Sequence, residues 1–406
     1  MNSLRLYIST LSYLRPGQLF SLARQRLLSG RPVRLENPQD LQLRAGIGLG
    51  QTLVPAPTGG GDYEFHFLNT SRSFSDGAID WVCSDMPKLW RYNLHYFDYL
   101  HDQGRSYVSL TEIVSDWIEK NRVGAEDAWE PYTISLRIVN WIKWFLSGDA
   151  GKSPPREWLK SLYSQAGWLE NNIEYHLLAN HYLKNAKALF FAGAYFSGAD
   201  AERLLEKGLK ILCEEASEQI LPDGGHHERS PMYHCIVTED YLDVLNLSLV
   251  NAGLVDQDTN DTLMGSTIAA LDFLNDILHP DGQIPLFNDS AFGIAPLPEQ
   301  LFHYAQQVMQ YSRPERCKGL CLSAKSESGY FTIRDGGDML IVDCGQIGPD
   351  YQPGHAHCDT LSYELSLDGR RVIVDAGVFD YENSGDRKYA RSTRAHNTVV
   401  VDCEEQ

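Results

Sequence analysis

The strongest limit on how this chain can fold is a change in the spacing of its apolar residues near Pro314. From residue 90 to 310, apolar side chains recur near i, i+3, i+4 and i+7, the spacing of one helix face. Segments 110–121, 131–146, 157–175, 180–196, 200–220, 238–251 and 262–278 carry it, with Gly, Pro or Asp between most of them. Helices of that length on short connections pair antiparallel, which predicts a bundle or an α/α toroid. Beyond Pro314 the period falls to two. Segments 329–334, 339–343, 360–367, 371–375 and 397–401 alternate or run apolar and β-branched, several divided by Asp-Gly or Gly-Gly turns. They predict an antiparallel β-sandwich, thin enough that the native chain is expected to continue past Gln406. The expected organisation is multidomain α + β. Residues 1–89 form a basic lead-in of loops and short strands rather than core, 90–312 an α/α toroid, and 313–406 an incomplete β-sandwich.

A length of 406 residues exceeds what one core serves, and 43% hydrophobic with 22% charged residues is a globular composition. The formal charge of −19 excludes the basic surface that a nucleic-acid partner needs, but not a local basic pocket for an anionic substrate. The cysteines, at 83, 213, 235, 317, 321, 344, 358 and 403, form no disulfide framework and read mainly as buried thiols in a reducing compartment. The first 34 residues hold arginines at 5, 15, 24, 26, 31 and 34 and no acid. A basic amphipathic stretch there, 19–28, is suited either to packing on its own domain or to peripheral contact with an anionic membrane. The N-terminus lacks the clean apolar core of a secretory signal. The expected location is therefore the cytoplasm or the periphery of the inner membrane.

Chemistry-bearing residues gather in three places. Pro353-Gly354-His355-Ala356-His357-Cys358-Asp359 follows a turn signal and precedes a strand-like run, so its alternate residues are expected on one face, towards a metal or a substrate. Asp375 and His396 on neighbouring strands add a carboxylate and an imidazole, an ordinary zinc donor set. In the helical half, Asn180-His181 opens a helix, and the loop from Asp223 to His234 carries His226, His227, Glu228 and Tyr233. A metal site from His226, His227, Glu228 and His234 is conceivable, although that spacing matches no helical ligand motif. An amide, imidazoles and a phenol suit removal of a proton α to a carboxylate. Asn180, or a neighbouring imidazole, would neutralise the carboxylate, Tyr233 or a histidine would take the C5 proton, and Tyr233 would return one to the leaving O4 oxygen. Hydrolysis would instead need two carboxylates astride the bond, drawn from Glu228, Asp223 and Glu174.

The run from Asn180-His181 to Gly193, then Glu228 to His234, resembles the heparinase II/III-like polysaccharide lyases, as do Gly354 to Tyr363, Val374-Asp375-Ala376-Gly377 and Arg391 to Thr398. The Arg-rich start with Tyr13-Leu14-Arg15-Pro16 is similar to the subgroup associated with bacterial surface polysaccharides. The resemblance implies a toroid followed by a β-sandwich with a cleft between them, and an acidic polysaccharide or oligosaccharide as partner. It implies catalytic roles for Asn180, His181, Tyr233 and His355. It also implies a structural zinc at His357, Asp375 and His396, with no organic cofactor. Expected substrate contacts are His227, Glu228, Trp129, Arg137 and Arg391. By family analogy the periplasm is the alternative location, and a catalytically silent glycan-binding or assembly protein on the same fold is the rival function.

Overall fold

The computed structural model describes residues 9, 11–28, 41–53, 61–147 and 154–406. After an N-terminal helix α1 (Pro16–Leu28) and a hairpin of β1 (Glu64–Phe67) and β2 (Thr70–Ser73), helices dominate. They are α2 (Lys88–Tyr96), α3 (Tyr107–Lys120), α4 (Pro131–Leu146), α5 (Arg156–Asn171), α6 (Ala179–Tyr195), α7 (Ala199–Gln219), α8 (Pro231–Val250), α9 (Gln257–Ile277) and α10 (Pro298–Met309). Helix α4 shows why these segments are helical: Pro131 fixes its first turn, and Ile134, Ile138, Trp141, Ile142 and Phe145 line its buried side. Helices α6 and α7 approach closely because both carry glycine at the contact. A Cβ on Gly193 would fall on the Leu205 backbone, and one on Gly208 on that of Phe190.

The main core joins these helices through Trp90, Trp117, Trp141, Phe190 and Phe191. It also takes in Phe65 and Phe67 of β1, so the expected lead-in contributes to the core. A second cluster, with Met232, Phe273, Leu274, Phe287, Tyr330 and Ile341, bonds helices to sheet. That sheet is an antiparallel meander of β3 (Cys321–Lys325), β4 (Tyr330–Asp335), β5 (Asp338–Asp343), β6 (Tyr363–Leu367) and β7 (Arg370–Ile373). Its inner face presents Tyr330, Thr332, Met339 and Ile341 to the helices. Its inner polar residues are paired too: Glu364 and Ser366, both fully buried, hold the two ring nitrogens of His279 at 3.0 and 2.8 Å. The other face carries Leu322, Ile333, Leu340, Leu365 and Ile373 in register across all five strands.

Several sequence expectations change. Segment 397–401 is not a strand: the Asn397 amide donates to the Tyr363 and Val374 carbonyls at 3.0 and 2.8 Å, tying the ends of β6 and β7 by its side chain. Helix α8 begins at Pro231, earlier than the apolar period suggested, because Ser230 caps it by accepting from the Tyr233 N–H. Cys317 and Cys321 are disulfide-bonded, while Cys344 and Cys403 are exposed thiols, so the picture of buried cysteines holds only for Cys83 and Cys235.

Candidate active site

Asn180 enters the site from the first turn of α6. The chain reaches it through Leu178 at φ 59°, ψ −154° and Ala179 at φ 51°, positive-φ backbone that non-glycine residues adopt only at a cost of about 1–3 kcal/mol each. What holds it is Glu228, almost fully buried. One carboxylate oxygen accepts from the Asn180 backbone N–H and side-chain amide, both at 3.0 Å, and the other accepts from the amide at 3.2 Å. Tyr233 comes from the first turn of α8, and its ring lies 3.9 Å from that of His355. Burial, then the neighbouring Tyr381 and Tyr132 phenols, push the Tyr233 hydroxyl well above its ordinary pKa, so it is held protonated.

His355 reaches this point from the sheet side. Its Nε2 lies 3.1 Å from Glu228 Oε2 and 3.5 Å from the Asn180 amide, and its Nδ1 lies 2.9 Å from Asp289 Oδ2. Burial disfavours the imidazolium, but Glu228 and Asp289 outweigh it and the pKa is raised. His181 stands alongside, its Nδ1 3.3 Å from Glu174 and its ring 4.4 Å from Tyr132. The structure thus gathers Asn180, Glu228, Tyr233 and His355 directly, from two helix starts, one turn and one sheet-side loop.

The shared face expected for His355, His357 and Asp359 takes a different form. Residues 353–359 are loop, not strand, and both imidazoles meet the two oxygens of one buried carboxylate, Asp289, which the sequence reading did not single out. Asp359 turns aside to accept from the Asn288 N–H at 2.9 Å. Burial would raise the Asp289 pKa, but hydrogen bonds from His355, His357 and Arg387 hold it far below the carboxylate range. The available signal was the polar run Asn288-Asp289-Ser290 directly after Ile284-Pro285-Leu286-Phe287, where the chain leaves an apolar stretch without leaving the interior.

Three expected substrate contacts lie elsewhere. Trp129 is buried against Trp117 and Trp168, and its indole donates to the Asn121 carbonyl. Arg137 is fully buried, bonded to Gln165 and to the His95 and Ala128 carbonyls, and stacked 4.0 Å over Trp117. Both belong to the core, since an aromatic ring and a guanidinium at these positions fill and satisfy the interior between α3, α4 and α5. Arg391 binds the Ala356 carbonyl at 2.9 and 3.1 Å and so braces the histidine loop. His227 is buried beside His226, their rings 4.9 Å apart.

Among the described residues, His226, His227 and Glu228 form a group that could hold a metal ion, their ligand atoms lying within 4.8 Å of one another. They share one turn, closed by the Arg229 N–H donating to the His226 carbonyl at 3.0 Å. The sequence-favoured set is looser. The His357 and His396 rings are 5.3 Å apart, and His396 Nδ1 lies 2.8 Å from Asp375.

Comparison with known proteins shows the family and the fold. The profile described as Heparinase II/III N-terminus matches residues 56–311, and the one described as Heparinase II/III-like, C-terminal matches 318–406. The chain is 28% identical over 324 residues to a heparin-sulfate lyase of Pedobacter heparinus, covering 71% of this chain and 47% of that protein. It is 24% identical over 404 residues to the heparin-sulfate lyase of Bacteroides thetaiotaomicron, covering 84% and 57%. It therefore spans about half the length of these relatives. The crystal structure of heparinase III superposes with a TM-score of 0.67 at 20% identity, over 98% of this chain and 71% of that one, which shows a common fold. With both profiles matched in order across most of its length, the chain belongs to the heparinase II/III family.

Proposed function

We propose that the protein is a polysaccharide lyase that cleaves a uronic-acid-containing glycan by β-elimination. The observation that carries this reading is the meeting of Asn180, Tyr233 and His355 at one point, with rings 3.9 Å apart and an amide 3.5 Å from the imidazole. In the proposed reaction Asn180 and His355 offset the charge that builds on the uronate carboxylate as the C5 proton leaves. His181 accepts that proton, and Tyr233, held protonated by burial, delivers one to O4 as the C4–O4 bond breaks. Hydrolysis fits less well, because the cleft carboxylates Glu228 and Asp289 are already engaged by Asn180, His355, His357 and Arg387.

The finer architecture and its metal are part of the same proposal. We read the helical body as an α/α toroid and the sheet as one layer of a β-sandwich, since the apolar outer row, with Leu322 75% exposed, is a face that a second layer would cover. His357 Nδ1 and His396 Nε2 are buried without hydrogen-bond partners and are the donors we propose for a structural zinc ion, while Asp375 meets the other nitrogen of His396, Nδ1, at 2.8 Å and orients that ring instead of completing the donor set. Bound there, zinc would brace the sheet-side loop. Helix α1 docks beside Arg15 and Gln18, which bond Glu218 and the His176 carbonyl, while Phe20 and Leu27 stay exposed beside Arg24 and Arg26. That arrangement supports peripheral contact with an anionic membrane; a role in surface-polysaccharide metabolism, in the cytoplasm or at the inner membrane with the periplasm as the alternative, rests on the sequence resemblance alone.

The test is incubation with a panel of uronate polysaccharides while following the ultraviolet absorbance of the unsaturated product. Absorbance growth supports elimination. New reducing ends without the chromophore would replace it with hydrolysis, and binding without either would favour a silent glycan-binding protein.

A further inference from the structure

We infer that Asp289 is a positioning residue that fixes a proton on one nitrogen of each loop histidine, Nδ1 of His355 and Nε2 of His357, turning His355 Nε2 towards Glu228 and Asn180 and freeing His357 Nδ1 on the scaffold side. The catalytic half of this inference rests on the lyase reading.

Asp289 is 1% exposed, in the connection between α9 and α10. Its two oxygens take different histidines: Oδ2 lies 2.9 Å from His355 Nδ1, and Oδ1 lies 2.7 Å from His357 Nε2. Arg387 donates to both oxygens, with Nη2 2.8 Å from Oδ2. A guanidinium keeps its proton in proteins, so the carboxylate beside it stays ionised and can only accept. Each ring nitrogen facing it must therefore carry hydrogen. For His355 that nitrogen is Nδ1, and for His357 it is Nε2. One anion thus selects opposite nitrogens on rings two residues apart, leaving His355 Nε2 to face Glu228 and Asn180. It leaves His357 Nδ1 buried and unpartnered.

The backbone prevents the loop from sliding out of this register. The Asp289 N–H donates to the His355 carbonyl at 3.1 Å, and the His357 N–H donates to Asn288 Oδ1 at 3.1 Å. Ser230, which caps the helix bearing Tyr233, donates its hydroxyl to the Asp289 carbonyl at 2.7 Å. The residue that orients His355 is therefore fixed to the residue that starts the Tyr233 helix. A buried carboxylate that orients an imidazole whose other nitrogen faces the reaction is the logic of an Asp–His pair. Here the same carboxylate also serves a second imidazole.

The test combines nitrogen NMR with kinetics. Protein labelled with 15N-histidine is compared with His355→Gln and His357→Gln to assign the two rings. Protonated Nδ1 on His355 and protonated Nε2 on His357 are expected, whatever the state of the other nitrogens. A bare Nδ1 on His355 or a bare Nε2 on His357 overturns the assignment. Asp289→Asn replaces one acceptor with a donor, so at least one ring should lose its hydrogen at the nitrogen that faces residue 289. By comparison with other Asp–His pairs, kcat should fall by about 10²–10⁴, with KM moving less than about threefold. Retention of both hydrogens, an unchanged kcat, or a loss confined to KM each refutes the inference. Should Asp289→Asn not fold, the wild-type spectra decide alone. If the wild type makes no unsaturated product from any uronate polysaccharide, the lyase reading fails, while the nitrogen spectra still judge Asp289.

Discussion

Replacing Tyr233 with Phe removes one oxygen and leaves the ring that packs 3.9 Å from His355. The helix start does not depend on that oxygen, because Ser230 caps the Tyr233 backbone N–H and Pro231 sets the first turn. The hydroxyl interacts with Tyr381, whose own oxygen is buried without a well-formed hydrogen bond, so its loss should cost the fold under about 1 kcal/mol. In a chain of this size that is a change of a few degrees in Tm at most. Loss of a positioned proton donor removes about 10²–10⁴ in rate, or about 2.7–5.5 kcal/mol of transition-state stabilisation. The expected result is an intact protein, by melting and circular dichroism, whose production of unsaturated ends falls at least a hundredfold. A Phe variant that melts normally and keeps more than about a tenth of wild-type kcat would remove Tyr233 from the chemistry.

Three further outcomes follow from the geometry. Glu228→Gln sets an amide N–H₂ against donors from Asn180 and His355, so stability should drop by about 2–4 kcal/mol in denaturant titrations; no change would mean that Glu228 does not hold Asn180. Burial raises the Glu215 pKa from its ordinary value of 4.5 to about 7. Its contribution to stability is full below the unfolded value and lost as pH rises through the folded one, up to about 3 kcal/mol. Glu215→Gln should therefore raise Tm at pH 8 and barely change it at pH 5, and equal shifts at both would refute the assignment. His396→Ala should lower bound zinc and Tm more than substrate affinity, and unaltered zinc stoichiometry by mass spectrometry would discard the proposed metal donors.

Helix positions were legible because burial on one side imposes a period, and Asn180 and Tyr233 were legible because polar residues gathered at helix starts. The Ser230-Pro231 pair was a start signal as well, and overlooking it placed Tyr233 in a loop instead of the first turn of α8. Trp129 and Arg137 show the opposite failure. An aromatic ring or a guanidinium looks the same in sequence whether it lines a cleft or satisfies a core, and only the bonds of Arg137 to Gln165 and two carbonyls decide. Asp289 escaped because its partners lie 66 and 68 residues away in sequence. No period or short motif encodes a carboxylate that serves two distant histidines.

The electrostatics of the site also follow from how the chain is threaded. Helices α6 and α8 both begin there, so the positive dipole ends of two long helices face the same volume. In the structure, Glu228 accepts from the Asn180 backbone N–H, showing that the volume accepts a carboxylate. A uronate entering beside it adds another negative charge, and proton removal at C5 spreads that charge onto the carboxylate oxygens. Asn180 at one helix start, Tyr233 at the other and His355 pinned by Asp289 are then the groups able to answer it. The overall charge of −19 does not oppose this, because at such short range fixed N–H groups and a flanked imidazole outweigh screened surface carboxylates. The strained entry at Leu178 and Ala179 is consistent with that requirement: it is the path that aims the Asn180 amide at the common point while keeping α6 packed on α7.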